Sequence, residues 1–204
     1  MGRAFVSIYL IAIIISLACS GVLGCSCRHT HPQTLFCTRD FVFLGEVVSK
    51  VLVNADPKDP ANNHATWTYR VRLITKIKGI SNTIGSIVQI QTPGNSGMCG
   101  VKLEDGDRYI LSGSNQNGKR VVILCDWIVR EHDLSTEQRR YLFGTNSNTY
   151  KANCLCKEIV DNDESVPHTE GCKLPADSHD TCYSEKALCK RRNGLCDWIN
   201  NSDC

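Results

Sequence analysis

Alternating apolar and polar residues in the middle of the chain predict β-strands. Across residues 67–73 every second side chain is apolar and the intervening ones are Thr or Arg, which is the period of a strand with one buried face. Shorter apolar runs have the length of buried strands. Asn117-Gly118 is typical of a hairpin turn, because both residues tolerate positive φ. Five strands are predicted, over residues 41–48, 67–73, 87–90, 108–112 and 120–124.

One helix is predicted after the strands. Ser135 and Gln138 have the spacing of a capping box, and Gly144 stands where a helix commonly ends. These signals predict a helix over residues 134–143. Five antiparallel strands with one flanking helix favour a small closed barrel of the OB type over a sandwich. The predicted fold class is mainly β.

The first 24 residues have the layout of a secretory signal peptide. Arg3 is followed by an apolar run over residues 8–17 and by small residues before Cys25. Cleavage after Gly24 leaves 180 of the 204 residues. The run is shorter than a bilayer span needs, so we expect a secreted, extracellular protein with no membrane span. An alternative interpretation takes residues 22–25 as a lipoprotein box, but so cysteine-rich a body disfavours it.

The cysteines indicate disulfides and divide the chain into two parts. The chain has 13, and removing Cys19 with the signal leaves an even 12, as expected in an oxidising compartment. A zinc module is the alternative, but the paired Cys-x-x-Cys sequences of such modules are missing. Cysteines are sparse up to Asn153 and dense from Cys154 onward. The first part can build a core, whereas the second depends on disulfides.

Charge and motifs exclude several function classes. The chain has 23 basic and 21 acidic residues, so the net charge after loss of Arg3 is near +1. This balance, without a basic tract, argues against nucleic-acid binding. His-Glu-x-x-His, Gly-x-Ser-x-Gly and Walker sequences do not occur, and paired cysteines leave no thiol nucleophile. We therefore expect that the protein is not an enzyme.

Several short motifs, taken in order, resemble one known family. They are Cys25-Ser26-Cys27, His31-Pro32-Gln33, Phe36-Cys37, the strand 41–48, residues 98–101, residues 124–129 and Leu134-Ser135-Thr136. The set resembles the tissue inhibitors of metalloproteinases and covers nearly the whole first part. The resemblance implies a netrin-like OB barrel over residues 25–154 and a small disulfide-rich module over residues 155–204. It also implies a secreted inhibitor of zinc endopeptidases.

The chemistry of the predicted N-terminus agrees with such a function. A catalytic zinc with three protein ligands keeps its fourth position for water. A free α-amino group has a pKa of roughly 8 and loses its proton readily beside a metal cation. With the carbonyl oxygen of Cys25 it would form a five-membered chelate on the zinc of a partner protease. The zinc belongs to that partner, so we expect no cofactor or metal of the protein's own.

The residues around Cys25 are the expected protease contacts. Residues i and i+2 of an extended segment project to the same side, so Cys25 and Cys27 can both be anchored while Ser26 points away. The resemblance implies that Ser26 enters the primary specificity pocket of the protease. Arg28 and His29 depart from the smaller or apolar side chains usual in the family and should alter the choice of protease. The implied contact set is Ser26, Cys27, Arg28, His29, Gly97, Met98 and Cys99.

The resemblance also implies disulfide pairings. In the first part these are Cys25–Cys99, Cys27–Cys125 and Cys37–Cys154. In the second part the spacing departs from the family twice, because a cysteine is missing soon after Cys156 and Cys204 is added. We therefore expect Cys156–Cys196 and Cys182–Cys189, with a compensating Cys172–Cys204 bridge.

The expected partners are metzincins such as matrix metalloproteinases, bound by a monomer. Two alternatives stay open. One is a netrin-like secreted module that binds matrix or a receptor without inhibiting proteases. The other is a secreted effector of a parasite or venom that acts on host proteins. His29 and His31 suggest a metal site by their spacing, but two histidines without a third ligand make a poor site, so packed or solvated side chains are expected.

Overall fold

The computed structural model describes residues 24–161, 164–175, 180–202 and 204. The predicted signal peptide lies outside these ranges except for its last residue, Gly24. Strands predominate over helices, so the predicted mainly β class is confirmed. Within the described ranges, no helix has the length and apolar character required to cross a bilayer.

Five strands close into a barrel. They are β1 (Phe41–Val53), β2 (Thr66–Lys78), β3 (Ile87–Pro93), β4 (Arg108–Gln116) and β5 (Lys119–Val121). Antiparallel pairing joins β1 to β2, β2 to β3, β4 to β5 and β4 back to β1. A parallel bridge between β3 and β5 completes the ring. A further strand, β6 (Ile128–Arg130), pairs with β4. The predicted five-stranded OB-type barrel is confirmed.

The start of β1 is buried on both faces, which explains its uninterrupted apolar run. Phe41 and Phe43 belong to the core inside the barrel. Val42 and Leu44 belong to a second core, which lies between the barrel wall and the helices. The period-two pattern of a strand is therefore hidden at this point, because each of its faces meets a different apolar layer.

Two strand predictions differ from the structure in extent. The β1–β2 hairpin is longer than predicted, with 13 residues in each strand. The last barrel strand ends at Val121 rather than continuing to residue 124. Beyond it the chain leaves the sheet, because Ile123 N donates to Asp126 Oδ2 at 2.8 Å and Leu124 N donates to Cys99 O at 2.8 Å.

Two helices flank the barrel. The predicted capping box opens α2 (Thr136–Phe143): Gln138 N donates to Ser135 Oγ, and Ser135 N donates to Gln138 Oε1, each at 3.0 Å. The sequence reasoning missed α1 (Pro32–Thr38), whose first turn is capped by His31 Nδ1, which accepts from Gln33 N at 3.1 Å. Histidine is not among the usual capping residues. Proline in the first turn was the available signal.

The C-terminal part consists of small elements. They are the parallel pair β7 (Glu158–Val160) and β8 (Gly171–Lys173), the helix α3 (Asp180–Lys186), and the hairpin of β9 (Leu188–Arg192) and β10 (Leu195–Ile199). Leu188 and Ile199 reach into the second core and join this part to the barrel. The predicted boundary after Cys154 falls inside a 3₁₀-helix, Lys151–Cys156, and stays a prediction.

Six disulfides link the twelve cysteines of the described chain, and two expected pairings are wrong. The structure joins Cys25–Cys99, Cys27–Cys125, Cys37–Cys154 and Cys156–Cys196, as the resemblance and spacing suggested. The expected Cys172–Cys204 and Cys182–Cys189 bridges are replaced by Cys172–Cys189 and Cys182–Cys204.

The position of each cysteine explains the exchange. Cys189 in β9 is fully buried and packs with Cys172 of β8 in one cluster. Cys204 packs at a separate cluster that contains Tyr183 and Ala187 of α3 and the turn after it. The reversal of the chain between α3 and β9 therefore places Cys182 and Cys189 in different clusters, although they are close in sequence.

Candidate functional site

The segment Gly24–Cys27, here called the N-terminal segment, runs outside any helix or strand. Gly24 and Ser26 are exposed, whereas Cys25 and Cys27 are partly buried. The Sγ atoms of Cys25 and Cys27 lie 4.0 Å apart, so both side chains are on the same side. This is the geometry of an extended chain, and it leaves Ser26 facing outward.

Two disulfides fix the N-terminal segment to neighbouring loops. Cys25 is bonded to Cys99 after β3, with Cα atoms 5.0 Å apart, and Cys27 to Cys125 after β5, with Cα atoms 5.2 Å apart. The two loops are themselves joined, since Leu124 N donates to Cys99 O at 2.8 Å. A four-residue segment is thereby attached to the barrel at two points, which removes most of its conformational freedom before any partner binds.

The loop that carries Cys99 has a constrained backbone. Cys99 has φ 63°, a left-handed conformation that costs free energy for a residue with a side chain. Asn95 stabilises the loop: its Oδ1 accepts from Met98 N at 3.0 Å, and its Nδ2 donates to Ala61 O at 2.7 Å. Gly100 allows a close approach, because a Cβ there would lie 2.1 Å from Pro93 O. The disulfide and these contacts hold Cys99 in its strained geometry.

This loop presents an exposed surface beside the N-terminal segment. Ser96, Gly97 and Met98 form a single 3₁₀ turn, and the Met98 side chain is 52% exposed. Leu124, next to Cys125, is 50% exposed. Sequence reasoning missed Leu124 as a surface residue, because its place in an apolar run predicted a buried strand.

An open groove of about 530 Å³ adjoins this surface. Its lining is mostly apolar: Val101, Leu103, Tyr109, Leu124, Ile128 and Val129.

A buried ion pair supports the second anchor. The Asp126 carboxylate, next to Cys125, pairs with the Arg39 guanidinium and accepts from Ile123 N at 2.8 Å. Burial raises the pKa of Asp126, and the Ile123 N–H and Arg39 partly offset this effect. Arg39 Nη2 also donates to Cys125 O at 3.4 Å. No local pattern predicts this pair, because Arg39 and Asp126 are distant along the chain.

Arg28 and His29 continue beyond the N-terminal segment, but Arg28 turns toward the C-terminal part. Its guanidinium donates to Asp161 Oδ2 at 2.5 Å and pairs with Glu164. These hydrogen bonds raise the pKa of Arg28 further above its already high value. His29 is exposed. Both residues line one pocket, together with Glu158 and Asp161 of the C-terminal part.

His31 is a packed histidine, which confirms that expectation. It is 2% exposed, its Nε2 donates to Tyr183 O at 3.1 Å, and its Nδ1 accepts from Gln33 N. Its ring centroid is 5.4 Å from that of Trp198. Burial lowers the pKa of His31 to about 4, so both ring nitrogens serve neutral hydrogen bonds and neither is available to a metal.

Two groups of cysteine sulfurs lie close enough together to resemble metal sites. One comprises Cys25, Cys27 and Cys125, and the other Cys156, Cys189 and Cys196. Every one of these sulfurs is in a disulfide. A disulfide sulfur is not a thiolate, and metal binding by cysteine requires the thiolate. These sulfurs are therefore close together because the disulfides pack against each other, and they do not form metal sites.

Comparison with known proteins identifies a family that matches most of the chain. The model of the family described as "Tissue inhibitor of metalloproteinase" matches residues 24–198. Metalloproteinase inhibitor 4 of Mus musculus is 35% identical over 137 residues, which cover 66% of this chain and 58% of that protein. Metalloproteinase inhibitor 3 of Xenopus laevis is 33% identical over 135 residues, with coverages of 66% and 58%. Metalloproteinase inhibitor 2 of Homo sapiens is 33% identical over 137 residues, with coverages of 66% and 59%. The matched region thus spans less than two thirds of the length of these relatives.

Proposed function

Because the chain belongs to the tissue inhibitor of metalloproteinase family, we propose that it inhibits zinc metalloendopeptidases by placing its own N-terminus on their catalytic zinc. Membership confirms the family resemblance read from the sequence. It also confirms that the chain is not an enzyme, since members of this family are inhibitors. Members are extracellular proteins, in agreement with the predicted secretion.

The observation that carries the proposal is the double anchoring of the N-terminal segment. Cys25 and Cys27 are bonded to different loops, and those loops are hydrogen-bonded to each other. A rigid, protruding segment loses little entropy when it enters a cleft. A flexible terminus of the same sequence would lose much more.

In the proposed mechanism, signal cleavage after Gly24 frees the α-amino group of Cys25. This amine, with a pKa of roughly 8, loses its proton next to the cation. The nitrogen and the carbonyl oxygen of Cys25 then replace the zinc-bound water that would attack a substrate. The metal is part of the protease, and the inhibitor contributes only ligand atoms.

In this proposal, the side chains around the nitrogen and the carbonyl oxygen of Cys25 determine which proteases are bound. Ser26, which is exposed between the two anchored cysteines, enters the pocket beside the zinc. Gly97 and Met98 add contacts from the loop that carries Cys99, and the thioether of Met98 can adapt to different partner surfaces. His29, an exposed side chain two residues after Cys27, is a further proposed contact. The proposed partners are matrix metalloproteinases and related metzincins, bound by one inhibitor molecule.

A matched pair of proteins tests the mechanism. One begins at Cys25 and the other carries a single additional alanine before it; both are refolded and checked for the absence of free thiols. We expect the first to inhibit members of a panel of purified metalloendopeptidases and the second to lose that inhibition, because the alanine turns the amine into an amide. If neither folded protein inhibits any member, the zinc mechanism is wrong and a netrin-like binding module becomes the better account.

A further inference from the structure

The C-terminal part contacts the residue that directly follows the N-terminal segment. Arg28 follows Cys27 and is held by Asp161, at 2.5 Å from Oδ2, and by Glu164. Both carboxylates contact the same terminal nitrogen, Nη2, which carries two of the five N–H donors of the guanidinium. The contact joins residues 133 positions apart, so it is a tertiary restraint and not a local turn.

The residues after Arg28 also form hydrogen bonds with the C-terminal part. His31 donates to Tyr183 O in α3. Gln33 is fully buried; its Nε2 donates to Cys189 O at 2.8 Å, and its Oε1 accepts from Cys189 N at 3.0 Å. Thr34 Oγ1 donates to Lys157 O at 2.5 Å. Residues 28–34 therefore pack against the C-terminal part. Among these contacts, Arg28 is the closest in sequence to Cys25, the proposed zinc ligand.

The charge distribution favours this contact. Residues 25–153 contain 16 basic and 11 acidic side chains, whereas residues 154–204 contain 6 basic and 10 acidic ones. Arg28 thus belongs to the positive part and its two partners to the negative one. Without them, an unpaired cation would stand two residues from Ser26, at the mouth of any protease cleft that receives the segment.

We propose that Asp161 and Glu164 are positioning residues for the N-terminal segment. By holding Arg28, they fix the direction in which the chain leaves this segment, and they make the C-terminal part a component of the inhibitory surface. This inference rests on the proposed function. The two disulfides fix Cys25 and Cys27, and the ion pairs fix the next side chain, Arg28. The charge of Arg28 is therefore already neutralised when the segment approaches a protease.

The test uses the protein that begins at Cys25, with Asp161→Asn and Glu164→Gln combined. The matched control is Glu170→Gln, an exposed carboxylate of the same part. Backbone ¹⁵N order parameters of residues 26–30, measured by nuclear magnetic resonance relaxation, report the restraint without any protease. We expect the order parameters at Arg28 and His29 to fall from about 0.85 toward about 0.6 in the double variant and to stay unchanged in the control.

Inhibition gives the second measurement. Against a protease that the parent protein inhibits, we expect the inhibition constant of the double variant to rise about three- to tenfold, the range of one or two exposed ion pairs. High salt should bring the parent toward the variant. In an Arg28→Ala background the same two substitutions should have no further effect, which separates this role from a general loss of stability.

The outcomes separate the two proposals. Lower order parameters without inhibition by any form support the restraint and overturn the zinc mechanism. Inhibition by the parent, with unchanged order parameters and an unchanged inhibition constant in the double variant, overturns the positioning role and leaves the zinc mechanism standing. An effect that persists in the Arg28→Ala background also overturns the positioning role.

Discussion

The barrel and the C-terminal part are stabilised by different means. The barrel encloses a continuous apolar core from strands β1 to β4 and the loops between them, with fully buried aromatic side chains such as Phe41, Phe43 and Tyr69. In the C-terminal part the main buried cluster consists of four half-cystines, Cys156, Cys172, Cys189 and Cys196. About fifty residues cannot bury enough apolar surface to offset chain entropy, so covalent bridges take the place of the core.

The comparison also shows how the two parts cooperate. Gln33 links them through buried hydrogen bonds to Cys189, and the second core takes side chains from both. The N-terminal segment is bonded to loops of the barrel, and Arg28, directly after it, contacts Asp161 and Glu164 of the C-terminal part. Under the two proposals above, the barrel holds the segment in place and the C-terminal part fixes its direction.

The largest effect is expected from the barrel core. Phe43 is fully buried among apolar side chains, so Phe43→Ala leaves a cavity and should cost about 3–5 kcal/mol of the free energy of unfolding. Denaturant unfolding followed by circular dichroism measures it. Val51→Ala, at a position 56% exposed on the same strand, is the control and should change stability by less than about 0.5 kcal/mol. Equal effects would contradict the assignment of the barrel core.

A second prediction tests the part that depends on disulfides. Replacing Cys172 and Cys189 by alanine opens a bridge with a sequence separation of 17, which the chain-entropy model values at about 3 kcal/mol. We expect the C-terminal part to lose protection while the barrel keeps it, in amide exchange of β8 and β9 compared with β2 and β3. Loss of protection in both parts together would show that the molecule unfolds as one cooperative unit.

The barrel was predictable from sequence because its signals are local. The alternation over residues 67–73 and the Asn117-Gly118 turn each require only neighbouring residues, and both features occur in the structure. The capping box at Ser135 is local in the same way. What the pattern could not give was the length of the β1–β2 hairpin, since strand pairing beyond the barrel depends on contacts between distant residues.

The C-terminal part shows where sequence reasoning failed. The resemblance led us to expect Cys182 with Cys189, but these residues lie on a helix and on the strand after it, and only the tertiary arrangement brings Cys204 to Cys182. The same limit applies at the candidate site. The Cys-x-Cys motif points to the residues of the N-terminal segment, whereas no local pattern points to Asp161 or Glu164, because Asp161 meets Arg28 across 133 positions of the chain.

The smallest expected effect lies at the junction of the two parts and depends on pH. His31 is buried and neutral, with its pKa lowered from 6.5 to about 4. In the unfolded chain the imidazole takes up a proton near pH 6.5, whereas in the folded chain it does so only near pH 4. The unfolded state therefore binds more protons between these values, and stability falls as the pH is lowered. From pH 7 to pH 5 this group alone should reduce the free energy of unfolding by about 2 kcal/mol. Urea unfolding at a series of pH values measures the loss.

Two variants isolate the contribution of His31 from that of the carboxylates. Asparagine at this position can still accept from Gln33 N but does not titrate, so His31→Asn should remove most of the loss between pH 7 and pH 5, even though it lowers stability at pH 7. His29→Asn changes an exposed side chain nearby that makes only the smallest contribution to the lowered pKa of His31, so most of the pH dependence should remain. A pH dependence that survives His31→Asn would mean that other groups produce it. One that disappears would locate the proton-sensitive contact at His31, where a proton on Nδ1 removes the acceptor for Gln33 N while Nε2 still donates to Tyr183 O.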